Sequence, residues 1–100
     1  METKHQFTLV EGTFSPADAA DVLFSLIGDK IKFHQLQMLG VQNLAGKDLV
    51  LSQKRIQSLT ESKNLSKQLI IKARDEGVHL QINGEISIAL VKTSQNQLPS

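Results

Sequence analysis

The 100-residue sequence has no cysteine, no tryptophan and no tyrosine. Without a thiol there is no disulfide framework, no cysteine nucleophile and no zinc–thiolate centre, and the composition fits a reducing compartment. Without indole or phenol, and with four phenylalanines, a stacking platform for single-stranded nucleic acid would have to be built from Phe or Arg. Charge of one sign is also scarce. Eleven basic against ten acidic residues leave a formal net charge of +1, too little for a global field that would steer the chain onto nucleic acid or an anionic membrane. No apolar run approaches the roughly 20 residues of a membrane-spanning helix. Residues 1–10 mix charged, polar and apolar side chains without a secretory core, so the cytoplasm is the expected location.

What is present is enough for a small core: 40% hydrophobic residues and six glycines fall in the ordinary globular range. One α+β domain is expected over residues 1–92, followed by a polar, frayed tail over 93–100. The most informative stretch is Val78 to Leu90, where Val78, Leu80, Ile82, Gly84, Ile86, Ile88 and Leu90 alternate with mostly polar residues. That period of two is a strand with one buried face. Asn83-Gly84 is ordinarily a hairpin signal, but a two-residue turn there would set Ile82 against Glu85 and Leu80 against Ser87. One long strand with Gly84 at a kink keeps the alternation intact and is preferred. A three-residue turn opposing Ile82 to Ile86 and Leu80 to Ile88 is the alternative.

A first strand is expected over Gln6 to Phe14, with Gly12 marking a bulge or bend. Its apolar residues fall on both faces, Phe7 and Leu9 on one, Val10 and Phe14 on the other, so its orientation stays open. Ser15-Pro16-Ala17-Asp18 then starts a helix. Ser15 is placed to cap, Pro16 presets the first helical φ, and Asp18 complements the helix dipole. Ala20, Phe24, Ile27, Ile31, His34 and Met38 form its apolar stripe, widened by Leu23 and Leu26, and Gly40 is the expected C-cap. Gly40 to Lys47 reads as a connection. Asp48 is expected to cap a second helix from Leu49, with Ser52 as a later alternative start, and Gly77 to end it. Leu49, Ile56, Leu59, Ile70 and Ala73 mark one face of that helix, interrupted by Lys63 and Ser66.

These elements predict a β-α-α-β order: a long antiparallel helical hairpin packed on a small antiparallel sheet, with the even residues of the last strand on the stripe from Ala20 to Met38. The last strand is expected to outrun the first and leave backbone groups unpaired. With Glu85 as its only charge, such an edge is poorly defended against another chain. The expected partner is a second copy, in a two-fold homodimer whose last strands pair antiparallel and complete the sheet. Interface candidates are Leu80, Ile82, Ile86 and Ile88, with Leu59 and Ile70 if the second helices meet.

Chemistry-bearing patterns are sparse. His5, His34 and His79 lack the spacing of a preorganised metal site, and no cofactor is expected. Glu11, Asp29 and Glu85 are the carboxylates nearest apolar sequence, but catalysis would need one of them desolvated beside a second polar group. No nucleophile elbow, dinucleotide fingerprint or phosphate loop is present. From Leu49 to Glu76 six basic residues face three acidic ones, and Lys54, Arg55, Lys63 and Lys67 are the candidate phosphate contacts. The function expected is a non-enzymatic protein–protein interaction or assembly module. A nucleic-acid-binding accessory using the second helix is the alternative, and an enzyme with a site formed between subunits the second alternative.

Overall fold

A computed structural model describes residues 3–40 and 46–92. It shows β1 (Lys4–Phe14), α1 (Pro16–Gly40), α2 (Gly46–Glu76) and β2 (Leu80–Ala89), with β1 and β2 in a two-stranded antiparallel sheet and α1 packed on α2. This is the predicted α+β arrangement. The expected tail over 93–100 and most of the connection after Gly40 lie outside the described residues.

The helix ends follow local chemistry. The Asp18 backbone N–H donates to Ser15 Oγ at 3.2 Å and the Ala19 N–H to the Ser15 carbonyl at 2.8 Å, so Ser15 caps α1 as its sequence implies. At the other end of the hairpin, Gly77 has φ 69°. The Val78 N–H donates to the Ala73 carbonyl at 2.9 Å, and the Gly77 N–H to the Arg74 carbonyl at 3.3 Å. This pair of bonds satisfies two orphan carbonyls of α2 and needs the left-handed conformation glycine supplies. Two boundaries differ from expectation. The helix α2 starts at Gly46, so Asp48 lies inside it instead of capping it, and α1 runs on to Gly40. The apolar repeat marks where packing begins, whereas backbone hydrogen bonding starts earlier.

The seam of the hairpin repeats every three and four residues on both helices. Ser52, Ile70 and Ala73 are buried on α2, with Leu49, Ile56, Leu59 and Ser66 half-buried between them. From α1 come Ala20, Phe24, Ile27, Ile31 and Met38, all half-buried, and the fully buried His34. Lys63 occupies a seam position where an apolar residue was expected. Its ammonium lies over the Phe24 ring, 5.7 Å from the centroid, so the charge is met by the face of an aromatic while the residue stays exposed. This contact sets 24 beside 63, and counting along the two antiparallel helices puts His34 level with Gln53, next to the buried Ser52.

The sheet register explains the mixed pattern of β1. Lys4 to Thr8 pair with Ala89 to Glu85, and Val10 to Phe14 pair with Gly84 to Leu80, leaving Leu9 as an extra residue in a β-bulge. The bulge changes the phase of β1, so His5 and Phe7 share a face with Val10, Gly12 and Phe14. Opposite them stand Ile88, Ile86, Gly84, Ile82 and Leu80. The other face is polar apart from Ala89 opposite Lys4, with Gln6 Nε2 donating to Glu85 Oε2 and Thr13 Oγ1 to Gln81 Oε1, both at 2.9 Å. Gly12, where the sequence hints at a bulge, lies three residues beyond it and has φ 150°.

Asn83 and Gly84 sit within β2 opposite Glu11 and Val10, so the long strand is the correct reading and no turn forms there. Two other expectations are corrected. The strand β1 begins two residues earlier than expected and β2 is shorter, 11 residues against 10, and the Leu90 N–H still reaches the Thr3 carbonyl at 3.0 Å. The last strand therefore has no overhang; the open backbone is the outer edge of each strand. Phe24 of the stripe from Ala20 to Met38 meets Lys63 of α2, and α1 also contacts both strands. The sheet approaches another side of α1, where Leu9 and Val10 line one open cleft with Asp21, Val22, Ser25 and Leu26.

The two strand glycines should respond differently to a methyl group. A Cβ at Gly84 meets nothing within 4 Å and no unusual φ opposes it, whereas Gly12 has a φ that side chains rarely adopt. Gly12→Ala is expected to cost about 1–3 kcal/mol in urea unfolding, and Gly84→Ala to be neutral or stabilising by up to about 1 kcal/mol. Equal losses in the two variants would contradict the described backbone.

Candidate interaction surface

The surface with the clearest physical signature is the apolar face of the sheet. At its near end Phe14, Gly12, Val10, Leu80, Ile82 and Gly84 are half-buried. Toward the far end cover is lost: Phe7 is 38% exposed, Ile86 37% and Ile88 51%. His5 stacks on Phe7 with ring centroids 5.6 Å apart. The four strand residues singled out from the sequence, Leu80, Ile82, Ile86 and Ile88, thus share one face. Phe7 joins them through the bulge, which no pattern in β1 alone reveals.

The two helical candidates stand elsewhere. Leu59 and Ile70 lie in the seam between α1 and α2, and Ile70 is buried. The apolar groups α2 shows to solvent include Leu65 and Leu69, both 61% exposed, on a different side of the helix. Their spacing of four residues was the available signal. Near the end of that side, Leu69 and Lys72 border an open groove with Val78, His79 and Leu80, where the chain turns from α2 into β2.

The candidate phosphate contacts are exposed but dispersed. Lys54 and Lys63 are nine residues apart, about two and a half helical turns, and so point to opposite sides of α2. Lys63 is also engaged over Phe24. Two further basic residues meet the acidic end of the helix: Arg74 Nη2 lies 3.2 Å from Asp75 Oδ1 and Lys72 Nζ 3.8 Å from Glu76 Oε2. These exposed pairs account for two carboxylates that oppose the helix dipole, and each is worth little.

The carboxylates considered for acid–base work remain apart. Glu11 and Glu85 are exposed on the polar face of the sheet, Glu85 accepting from Gln6, and Asp29 is exposed on α1. His5 is on the sheet, His34 in the helical seam, and His79 precedes β2. Among the described residues, no three His, Asp or Glu side chains gather as a metal site would require. Likewise no described helix is long and apolar enough to cross a membrane. Comparison of the chain with protein-family models, curated proteins and solved structures finds no match.

His34 is the one chemically unusual group. Its side chain is 1% exposed, and neither Nδ1 nor Nε2 has a hydrogen-bond partner. The Phe33 ring meets it edge-on at 5.4 Å. Burial, reinforced by the positive charges of Lys30 and Arg55, lowers its pKa below the ordinary 6.5. A histidine neutral in the fold and protonated more readily when unfolded makes stability fall with pH. The loss starts near the unfolded value of about 6.5 and continues down to the depressed folded value. Replacing the ring by an apolar side chain removes both the proton and the unsatisfied nitrogens. His34→Leu is therefore expected to raise stability by about 1–3 kcal/mol and to flatten its decline below about pH 6.5. Urea titrations across pH 4.5–8 check this, and an unchanged decline in the variant would assign the pH dependence to other groups.

Proposed function

We propose that this protein is a non-enzymatic assembly module that works as a homodimer, each copy completing the other's sheet. The observation that carries the reading is the uneven cover of the sheet: an apolar face that runs its full length but is sheltered by α1 only at one end. Among the described residues just Ala19, Ile70 and Ala73 are buried hydrophobics, a small core for a chain of this size. A two-stranded sheet is also marginal alone, and pairing with a second copy doubles it.

The other readings draw less support. Four basic residues spread around α2 do not make a track for phosphates, and the exposed, separated carboxylates lack the desolvation that acid–base catalysis uses. Labelled DNA or RNA titrated at low and moderate salt would bring the nucleic-acid reading forward if binding appeared and weakened steeply with salt.

Light scattering behind size exclusion is expected to give twice the chain mass at roughly tens of micromolar. Ile86→Asp is expected to shift that mass toward a destabilised monomer, because it puts a carboxylate on the apolar face that assembly buries. A well-folded wild-type monomer at the same concentration would overturn the proposal.

A further inference from the structure

The proposed dimer leaves open which edge is shared and in what register, and β2 itself carries an answer. Read outward from Gly84, its residues match in kind: Asn83 and Glu85, Ile82 and Ile86, Gln81 and Ser87, Leu80 and Ile88. The strand is a palindrome of polar and apolar character, centred on its one glycine. We infer that the outer edge of β2 is the docking surface for the β2 of a second copy, antiparallel and with Gly84 facing Gly84 on the two-fold axis. The inference rests on the dimeric reading above and specifies its geometry.

Three observations favour this edge and this centre. First, β1 carries the Leu9 bulge, along with Lys4 and Glu11, and a bulged, charged edge resists pairing. By contrast β2 is paired with β1 through all ten of its residues, bears one charge, Glu85, and contains no proline.

Second, the centre on Gly84 keeps every face consistent. It sets Ile82 beside Ile86 and Leu80 beside Ile88 on the apolar side, and Asn83 beside Glu85 on the polar side. A shift of the axis by one residue, to Glu85, would bring two carboxylates directly opposite one another, which destabilises a strand pair. Gly84 at the axis brings no side chain against its own copy.

Third, the arrangement addresses the uneven cover of the sheet. Antiparallel pairing about Gly84 lays the exposed end of one strand, Ile86 and Ile88, alongside the half-buried end of the other, Leu80 and Ile82. Each bare apolar end comes to lie next to the part of the partner's sheet that α1 already shelters. The merged sheet has four strands in the order β1-β2-β2-β1, with both bulged strands outside.

The absence of cysteine makes the register directly testable. In the inferred pairing residue 83 faces residue 85 of the other copy at about 4.5–5.5 Å between Cβ atoms, while identical residues stand on diagonals of about 7–8 Å. A disulfide needs about 3.5–4.5 Å, a gap that small backbone shifts close only for the facing pair. Asn83→Cys and Glu85→Cys, both on the exposed polar face, would be unfolded together, refolded and oxidised. The expected result is a mixed cross-linked dimer about fivefold or more over either homodimeric product. Gln81→Cys with Ser87→Cys repeats the test further from the axis and covers the case in which the first pair folds poorly. Dominant homodimeric cross-links, or none from a species of dimer mass, would overturn the register and leave self-association standing. Monomer mass for the unsubstituted protein would remove both.

Discussion

The sheet depends on one extra residue. In a strand of period two, Phe7 and Val10 cannot share a face, and a regular β1 would split its apolar side chains between the two sides. The bulge at Leu9 resets the phase in the middle of the strand. Phe7 comes round to join Val10 and Phe14, while Gln6, Thr8, Glu11 and Thr13 collect on the opposite side. One face becomes largely apolar and the other largely polar. The same residue lets 11 residues of β1 run beside 10 of β2 without an overhang, and it roughens the outer edge of β1. The division of labour between a guarded strand and an open one starts here.

Much of the fold could be read from the chain because its signals are local. Ser15-Pro16 and Gly77 mark helix ends through bonds made within a few residues, and the even-numbered alternation through Asn83-Gly84 survives because a one-residue slip would turn the whole strand inside out. The bulge was not legible, since a phase change in one strand acquires meaning only against its partner. The start of α2 was misplaced for a related reason: packing begins at Leu49, but helical backbone needs no packed side chain to begin. The candidate surface divides the same way. Leu80, Ile82, Ile86 and Ile88 share a face by parity alone, whereas the placement of Leu59 and Ile70 follows from which side of α2 meets α1, a tertiary choice for which Leu65 and Leu69 mark a competing side.

The hairpin shows how a lean seam can still be specific. Its layers include Ser52, Ser66, His34 and Lys63 among the aliphatic residues, so its contacts contribute less than a seam of Leu and Ile would. Lys63 is accommodated with its ammonium over the Phe24 ring. His34 is buried with both nitrogens unsatisfied, which favours its neutral state. A seam of this composition favours one alignment of the helices, since a shift along the axis would separate Lys63 from Phe24 and bring a charge against aliphatic neighbours.

Lys4 pairs with Ala89, and the Leu90 N–H reaches the Thr3 carbonyl, so the two strands close a loop containing nearly the whole described chain. Closing it from an unstructured chain carries the entropy of bringing distant ends together, whereas the contacts of α1 with α2 begin with residues close in sequence. Helices that associate first shorten the effective loop, so strand pairing comes late in folding. During that interval β2 has neither partner, and its backbone is open on both edges. The speed with which α1 and α2 zip together therefore decides how long a newly made chain remains open to pairing with the wrong strand.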